Sequence, residues 1–327
     1  MKVLSLFDGM SCGQIALQRA GIEVEAYYAS EIDKHAIKVT QANFPNTIQL
    51  GDVVNINAES LPPIDLLMGG SPCQGFALGG LKENFADPRS KLFFEFVRLK
   101  EELKPKWFLL ENVKMKKEWE QEITKYMGVE PMKNNSSLVS PQFRERLYWT
   151  NIPVDGSPQD RGLVLRDIVE GKNGHLALTF SHFSPPFTRS QMVDGRLYYV
   201  KEQKPSPSKN GLIFAGGVIK TTNKQWVDDG TYNQKSFSMG NRVYDWNGKS
   251  TTLQANSGGL GGKTGLYQMD DIVRKLTRVE CERLQTIPDG YTNSVSFSQA
   301  VKMLGNGWTV DIIVHILKHI KKGEENG

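Results

Sequence analysis

The chain has few cysteines and no long apolar run. Cys12, Cys73 and Cys281 are too few and too scattered for a disulfide framework or a cysteine-based metal site. No run of about eighteen apolar residues occurs, which argues against a membrane-spanning helix. The N-terminus lacks the layout of a signal peptide. These absences lead us to expect a cytoplasmic protein that uses no metal.

The sequence also lacks a GxGxxG pattern, although a glycine-containing loop follows the first apolar run. Residues 7–13 read FDGMSCG. Glycines there allow a tight turn and let a ligand approach the start of the next helix. The missing GxGxxG argues against a nicotinamide-dependent oxidoreductase, whose cofactor carries a pyrophosphate. Asp8 would repel phosphate and would suit a cationic ligand.

The composition is that of a folded protein with an uneven distribution of charge. Of 327 residues, 39% are hydrophobic and 23% are charged, which suits one large domain or two smaller ones. The net charge is +4, yet residues 189–278 alone hold 14 Lys and Arg against 7 Asp and Glu. A basic segment suits a polyanionic partner, and a basic surface that is merely solvated is the alternative.

Short apolar runs alternate with helical patterns in the first half of the chain. Strands are predicted at residues 3–7, 24–30, 64–68, 107–110 and 147–151. Helices are predicted at residues 13–20, 33–43 and 91–103. This alternation predicts an α/β fold with a mainly parallel, doubly wound sheet.

The pattern changes near residue 153. Helical periodicity is weak from there to about residue 271, and 11 of the 31 glycines lie between residues 211 and 265. Short strand-like runs occur at 197–200 and 243–246, and helical patterns return at 277–285 and 298–319. We therefore predict a Rossmann-like domain made of residues 1–152 and 293–327, with a smaller domain rich in β-strands and loops at residues 153–292.

Two acidic residues lie between the second predicted strand and the run at residues 64–68: Glu31 ends the second strand, and Asp52 lies at the end of a further short strand. Glu31 lies about twenty residues beyond the glycine loop, where an acid can hold a ribose diol. Asp52, with the backbone N–H of Val53 beside it, can read an adenine edge. Loop and acids together predict an adenosine cofactor without phosphates, and S-adenosylmethionine fits through its cationic sulfonium.

A proline-cysteine pair and a glutamate follow the next two predicted strands. Cys73 lies in GGSPCQGF, residues 69–76, directly after a buried apolar run. It is either a nucleophile at the tip of a strand or a small buried hydrophobic residue. Glu111 and Asn112 follow the run WFLL, where a carboxylate would point into the ligand crevice. The alternative for Glu111 is a loop or helix-capping acid.

Two further motifs lie in QFRER, residues 142–146, and in GNGW, residues 305–308. If the first is a strand, Gln142, Arg144 and Arg146 share one face and suit phosphate or a carbonyl group; a surface ladder of ion pairs is the alternative. In the second, the glycines would open the last helix. Asn306 and Trp308 could then close over a cofactor, unless the tryptophan belongs to the core.

Taken in order, these motifs resemble those of the DNA cytosine-5 methyltransferase family. The stretch at residues 274–291 is similar to the family motif that borders the recognition domain. The whole pattern is of the bacterial or phage type. Two details, Asp8 in the first loop and Trp308 in the last motif, are similar to the animal de novo DNA methyltransferases. The resemblance covers nearly the whole chain outside the glycine-rich segment.

The resemblance implies a Rossmann-like S-adenosylmethionine-dependent methyltransferase domain and a target recognition domain. Its catalytic residues would be Cys73, Glu111, Asn112, Arg144 and Arg146. Its cofactor-binding residues would be Phe7, Asp8, Gly9, Met10, Cys12, Gly13, Glu31, Asp52, Val53, Asn306 and Trp308.

In that family's mechanism, Cys73 would add to C6 of an extruded cytosine while Glu111 donates a proton at N3. Arg144 and Arg146 would hold the O2 carbonyl or a phosphate, and Asn112 would position Glu111. C5 then accepts the methyl group, and S-adenosylhomocysteine is the product.

The resemblance also implies partners. Double-stranded DNA is the expected substrate, bound by a monomer in the bacterial cytoplasm. A cognate restriction endonuclease and a phage or prophage origin stay open. Two other functions also stay open, an RNA cytosine-5 methyltransferase and a catalytically inactive DNA-binding relative. The basic glycine-rich segment favours DNA, and the intact catalytic residues favour an active enzyme.

Overall fold

The computed structural model describes residues 1–71, 91–171, 177–178, 181–182, 189–193, 196–220, 237–255, 261–270 and 272–320. Within these ranges the chain forms two β-sheets with helices packed mainly around the first. None of the helices in the described ranges is both long enough and apolar enough to cross a bilayer. Cys73 lies outside the described residues.

The first sheet has seven strands. They are β1 (Lys2–Leu6), β2 (Ala26–Ser30), β3 (Ile48–Gln49), β4 (Leu66–Gly69), β5 (Trp107–Val113), β6 (Met132–Asn135) and β7 (Glu145–Thr150). Their order is β3-β2-β1-β4-β5-β7-β6. The first five are parallel, and β7 pairs antiparallel with both of its neighbours.

Seven α-helices lie in the described part of the chain. They are α1 (Cys12–Ala20), α2 (Lys34–Asn43), α3 (Lys91–Leu103), α4 (Lys117–Met127), α5 (Arg278–Leu284), α6 (Phe297–Asn306) and α7 (Val310–Leu317). Successive strand residues face opposite sides. Val3 therefore lies in one core cluster with α1 and α7, and Leu4 lies in the other with α3 and α4. Both faces of the sheet are covered, which confirms the predicted doubly wound α/β fold.

The last helical pattern, residues 298–319, is two helices and not one. The prediction that the glycines near residue 306 open a helix is wrong, because α6 ends at Asn306 and α7 begins at Val310. The backbone is extended at Gly307, which follows the last residue of α6. Arg144, which directly precedes β7, donates to the carbonyl groups at this break.

The second sheet has eight strands. They are β8 (Ala177–Leu178), β9 (Ser181–His182), β10 (Arg189–Val193), β11 (Arg196–Pro207), β12 (Ile213–Lys220), β13 (Arg242–Asp245), β14 (Leu266–Met269) and β15 (Ile272–Arg274). All neighbouring pairs are antiparallel except β13 and β14. At Gly217 a Cβ would lie 2.2 Å from the ring of Phe237, so only glycine fits there.

A buried ion pair connects the two ends of the β-rich segment, near residues 171 and 274. Arg274 and Glu280 are fully buried, with Arg274 Nη2 2.6 Å from Glu280 Oε1. Arg274 also donates to the carbonyl of Gly171 at 2.9 Å, and the N–H of Glu170 donates to Glu280 at 3.0 Å. The end of the last strand of the second sheet therefore lies beside Gly171, which precedes its first strand.

Residues 278–291 contact the loops and the helix that surround the first sheet. The hydroxyl of Tyr291 donates to the carbonyl of Met10 at 2.7 Å, and Asn43 donates to the carbonyl of Tyr291 at 3.0 Å. Ser140 and Gln142 both donate to the carbonyl of Leu284. The domain boundary at residue 292 stays a prediction, and these contacts place the stretch before it beside the first domain.

Candidate active site

The carboxyl ends of the parallel strands bring most of the predicted site residues to one edge of the sheet. The loop at residues 7–13 follows β1, Glu31 follows β2, and Asp52 lies three residues beyond β3. Gly70 and Ser71 follow β4, and Glu111 lies near the end of β5. Ligands of open α/β sheets bind at this edge.

The loop after β1 has an unusual backbone. Phe7 and Ser11 have φ angles of +55° and +58°, which cost roughly 1 to 2 kcal/mol for each residue that is not glycine. Open space lies where Gly9 would carry a Cβ, whereas a Cβ at Gly13 would lie 2.7 Å from Met68 Sδ. The loop therefore offers its backbone around Gly9 to a ligand.

Two of the predicted cofactor residues in this loop have buried side chains. Met10 is 1% exposed and Cys12 is 4% exposed. Burial raises the pKa of the Cys12 thiol to about 12. If Met10 and Cys12 contact a cofactor, the contact comes from their main chain.

Glu31 gathers three backbone N–H groups at the end of β2. Its Oε2 accepts from Gly9 at 2.8 Å, and its Oε1 accepts from Ile32 at 2.7 Å and Asp33 at 2.8 Å. A carboxylate has about four acceptor positions, so room for a ligand hydroxyl remains. Glu31 is partly exposed, which leaves that room accessible.

The surroundings of Asp52 fit the adenosine part of a cofactor. Asp52 accepts from the N–H of Val54 at 3.2 Å, and open space lies where Gly51 would carry a Cβ. Val53 is 3% exposed and can contribute only its backbone, but Ile32 and Val54 are 73% and 52% exposed. Exposed aliphatic side chains beside an acid suit a flat heterocycle with a polar edge. The residues present therefore fit S-adenosylmethionine.

The carboxyl group of Asp8 is turned toward the inside of the loop. Its Oδ1 accepts from the hydroxyl of Tyr27 at 2.7 Å, and its Oδ2 accepts from the hydroxyl of Ser11. Burial is the largest effect on this group and raises its pKa to about 6, although both hydroxyls act in the opposite direction. Sequence reasoning missed Tyr27, because no motif links it to a loop nineteen residues earlier.

Glu111, Arg146 and Trp308 meet around Gly70. The Arg146 Nε lies 2.9 Å from Glu111 Oε1, and both side chains are largely buried. A Cβ at Gly70 would lie 3.1 Å from both Glu111 Oε2 and Trp308 Nε1. One carboxyl oxygen of Glu111 is therefore bound to arginine, and the other packs with the Trp308 indole N–H against Gly70, where a larger residue would collide with both. Asn306, which ends α6 nearby, is exposed.

Asn112 connects the end of β5 to the end of β4. Its Nδ2 lies 3.2 Å from Ser71 Oγ, and its Oδ1 accepts from the N–H of Val113 at 2.8 Å. Ser71 is the last described residue before Pro72 and Cys73. The amide thus holds the chain at the point where the cysteine-bearing segment begins.

The three residues of the QxRxR motif do not share one strand face. Strand β7 begins only at Glu145, so that prediction is wrong for Gln142 and Arg144. Gln142 is buried, donates to Leu284 and accepts from the N–H of Leu253. The side chains differ in direction because separate elements capture each of them.

Arg144 is occupied by backbone carbonyl groups. Its guanidinium donates to Gly305 at 3.1 and 3.2 Å and to Gly307 at 2.8 Å. Arg144 is 2% exposed, and burial lowers its pKa to about 9, with Arg146 adding to that effect. In this structure Arg144 fixes the break between α6 and α7, next to Trp308, and Arg146 is the arginine beside Glu111.

Sequence comparison connects this site to known proteins. A family model described as C-5 cytosine-specific DNA methylase matches residues 1–322. The orphan methyltransferase M.Rho11sI of Bacillus phage rho11s is 34% identical over 309 residues, which cover 83% of this chain and 61% of the phage protein. The type II methyltransferase M.HhaI of Haemophilus parahaemolyticus is 30% identical over 321 residues, covering 98% of this chain and 94% of the relative. The chain thus spans less than two thirds of the phage relative.

Structural comparison gives the same architecture. The Entamoeba histolytica methyltransferase EhMeth matches with a TM-score of 0.68 over 99% of this chain and 98% of that chain. Sequence identity in that match is 13%, so it speaks for the fold alone. The predicted Rossmann-like methyltransferase fold is confirmed.

Proposed function

The chain belongs to the C-5 cytosine-specific DNA methylase family, and from this we propose that it methylates C5 of cytosine within a specific sequence of double-stranded DNA. S-adenosylmethionine is the methyl donor. The target base is extruded from the duplex, because a base inside the stack cannot reach a pocket at the edge of a sheet. Cys73 forms a covalent bond to C6 during the reaction.

The arrangement around Gly70 is the observation that carries this proposal. Glu111 Oε1 is held by Arg146 at 2.9 Å, while Oε2 closely approaches Gly70, where a Cβ would lie only 3.1 Å from it. Asn112 holds Ser71, two residues before Cys73. A carboxyl group and a cysteine-bearing segment are thus brought to neighbouring strand ends, which suits an acid and a nucleophile acting on one ring.

Each step assigns one task to a residue of the chain. The Cys73 thiolate adds to C6, and Glu111 donates a proton to N3 as negative charge builds up on the ring. C5 becomes nucleophilic and takes the methyl group that bound S-adenosylmethionine supplies. A base then removes the C5 proton, the C6–S bond breaks, N3 returns its proton to Glu111, and the thiolate and the aromatic ring are restored.

The arginines support these steps in different ways. Arg146 orients Glu111 through the 2.9 Å contact between Nε and Oε1, and it would also donate to the O2 carbonyl of the base. Arg144 keeps Gly305 and Gly307, and with them Trp308, at the rim of the site. We assign Arg144 a positioning role, because its donors are directed at the backbone.

The segment at residues 153–292 is proposed to bind the target sequence. Its excess of Lys and Arg would contact phosphates, and side chains on its loops would read base edges. Sequencing of nucleic acid from a host that expresses the protein, at single-base methylation resolution, tests substrate and sequence together. We expect 5-methylcytosine at one recurring DNA sequence. Modified RNA with unmodified DNA would overturn the proposal.

Glu31→Ala is expected to weaken binding of S-adenosylmethionine by about 10- to 100-fold, because a charged acceptor for the ribose hydroxyls is lost. Isothermal titration calorimetry of the protein without DNA measures this. Glu31 also holds three backbone N–H groups, so a control for local structure is needed.

Asp33→Ala provides that control. Asp33 caps α2 by accepting from the N–H of His35 at 2.9 Å and pairs with Lys302. Its loss costs about 1 kcal/mol of helix capping without removing the ribose acid. Equal loss of affinity in the two variants would remove Glu31 from the ribose role.

A further inference from the structure

Asp8 is a carboxyl group that the proposed reaction does not use. Both of its oxygens accept hydroxyl hydrogen bonds, from Tyr27 in β2 and from Ser11 before α1. A Cβ at Gly13 would lie 2.8 Å from the Tyr27 hydroxyl, so the first turn of α1 closes over this group. The loop and the helix start are therefore built around Asp8.

The fold bears a cost in keeping this group charged. Burial raises the pKa of Asp8 from 3.8 to about 6. A carboxyl group whose pKa is higher in the fold than in the unfolded chain binds its proton more tightly when folded. The stability it contributes is therefore present at low pH and is lost as the pH rises through about 6. At neutral pH a neutral side chain at this position would make the folded state more stable. The presence of an ionisable group therefore suggests that its charge has a function.

We propose that the Asp8 carboxylate, held by Tyr27 and Ser11, makes this loop prefer the cationic cofactor S-adenosylmethionine to its neutral product S-adenosylhomocysteine. This inference rests on the proposed function. The two molecules share the adenosine and the amino-acid parts and differ by one methyl group and the positive charge on sulfur. A fixed negative charge in the loop attracts the positively charged sulfur of S-adenosylmethionine and has no such attraction for the neutral sulfur of S-adenosylhomocysteine.

The position of Asp8 suits this role. The next residue, Gly9, donates to Glu31, the proposed ribose acid, at 2.8 Å and has open space where a Cβ would be. Glu31 would contact a ribose that both ligands carry, so it cannot distinguish them. Asp8 lies one residue away and is partly buried, and a charge that is partly shielded from solvent acts strongly over several ångströms.

The other ionisable groups packed around Asp8 come from four elements. Tyr27 belongs to β2, Cys12 to α1, Tyr291 to the stretch after α5, and Glu31 follows β2. Burial raises the pKa of Tyr27, the pKa of Tyr291 and, to about 12, the pKa of Cys12. These three stay neutral near pH 7.

Calorimetry with both ligands tests the inference. The full chain is titrated without DNA with S-adenosylmethionine and, separately, with S-adenosylhomocysteine, from about pH 5 to about pH 7, below the pKa of the ligands' amino group. We expect the ratio of the two dissociation constants, product over cofactor, to rise about tenfold across this range. In Asp8→Asn the ratio should stay low and flat. Thermal unfolding checks that the variant is folded.

Tyr27→Phe provides a second variant that keeps the charge. The Tyr27 hydroxyl lowers the pKa of Asp8, so its loss should move the rise in the ratio to higher pH without abolishing it. A residue that served only as packing would not shift a titration.

Three results would overturn the inference. One is a ratio in the parent protein that does not change with pH. Another is an Asp8→Asn variant that weakens both ligands equally. The third is a midpoint that is the same in Tyr27→Phe and in the parent. If neither ligand binds the parent protein, the proposed function fails first, and this inference falls with it.

Discussion

Cys73→Ser is expected to abolish methyl transfer, with a loss of roughly 10⁴-fold or more. In the proposed mechanism the thiolate is the nucleophile. A few per cent of an ordinary cysteine is ionised near pH 7, whereas a serine hydroxyl is hardly ionised at all. The substitution replaces one atom, so folding and cofactor binding should survive. Transfer of a labelled methyl group to DNA measures the loss, and calorimetry with the cofactor checks that the variant is intact.

A second cysteine provides the matched control. Cys281 lies in α5, is fully buried, and has a pKa raised well above its usual value by burial. Cys281→Ala should retain transfer.

DNA that contains 5-fluorocytosine at the target should trap a covalent adduct with the parent protein. The last step removes a proton from C5, and 5-fluorocytosine carries fluorine there instead of hydrogen. Undiminished methyl transfer by Cys73→Ser would rule out a covalent mechanism at Cys73.

Glu111→Gln is expected to lower kcat by about 10²- to 10⁴-fold. Glutamine can keep an oxygen near Arg146 Nε, which lies 2.9 Å from Glu111 Oε1. It cannot deliver a proton to N3, so the loss should appear in single-turnover transfer and not in the affinity for cofactor. Single-turnover kinetics at saturating DNA and cofactor measures it.

Glu145→Gln is the control for charge at this edge of the sheet. Glu145 precedes Arg146 in β7 and is partly exposed, within 3.4 Å of Lys114 and 3.5 Å of Lys133. Its loss should change kcat little. If the two glutamine variants lose the same activity, Glu111 acts through the general charge of the edge and not as an acid.

The sequence was most informative where apolar runs are long and their ends are marked. Helix α3 was predicted with the bounds that the structure has, because its apolar residues recur with helical spacing and Pro105 follows it. Helix α4 was missed, because Trp119, Ile123 and Met127 stand alone among polar residues. Strand β6 reads MKNN and carries no strand signal, since its partner strand and not its composition makes it extended.

Some features of the candidate site were likewise predictable from the sequence and others were not. Motifs placed Glu31 and Glu111 at one edge of the sheet, because the carboxyl ends of parallel strands meet there. Arg146 reaches the same edge from the start of β7, which runs antiparallel to β5. The meeting of Gly70 with Trp308 joins residues far apart in sequence, and no local pattern encodes it. The same holds for Arg144. The sequence predicts that it binds the substrate, but its guanidinium donates to the backbone at the break after α6.

The contact of Arg274 with Gly171 has a consequence for how such a chain can change over generations. Because its two ends touch, the segment between them is an insertion that can lengthen, shorten or be exchanged by recombination without displacing the flanking core. The buried partner Glu280 stays with the host side of the joint. If this segment reads the target sequence, as proposed, a graft made at these two positions would carry a relative's sequence preference onto this catalytic core. Selection could then vary the sequence that is recognised without altering the catalytic residues.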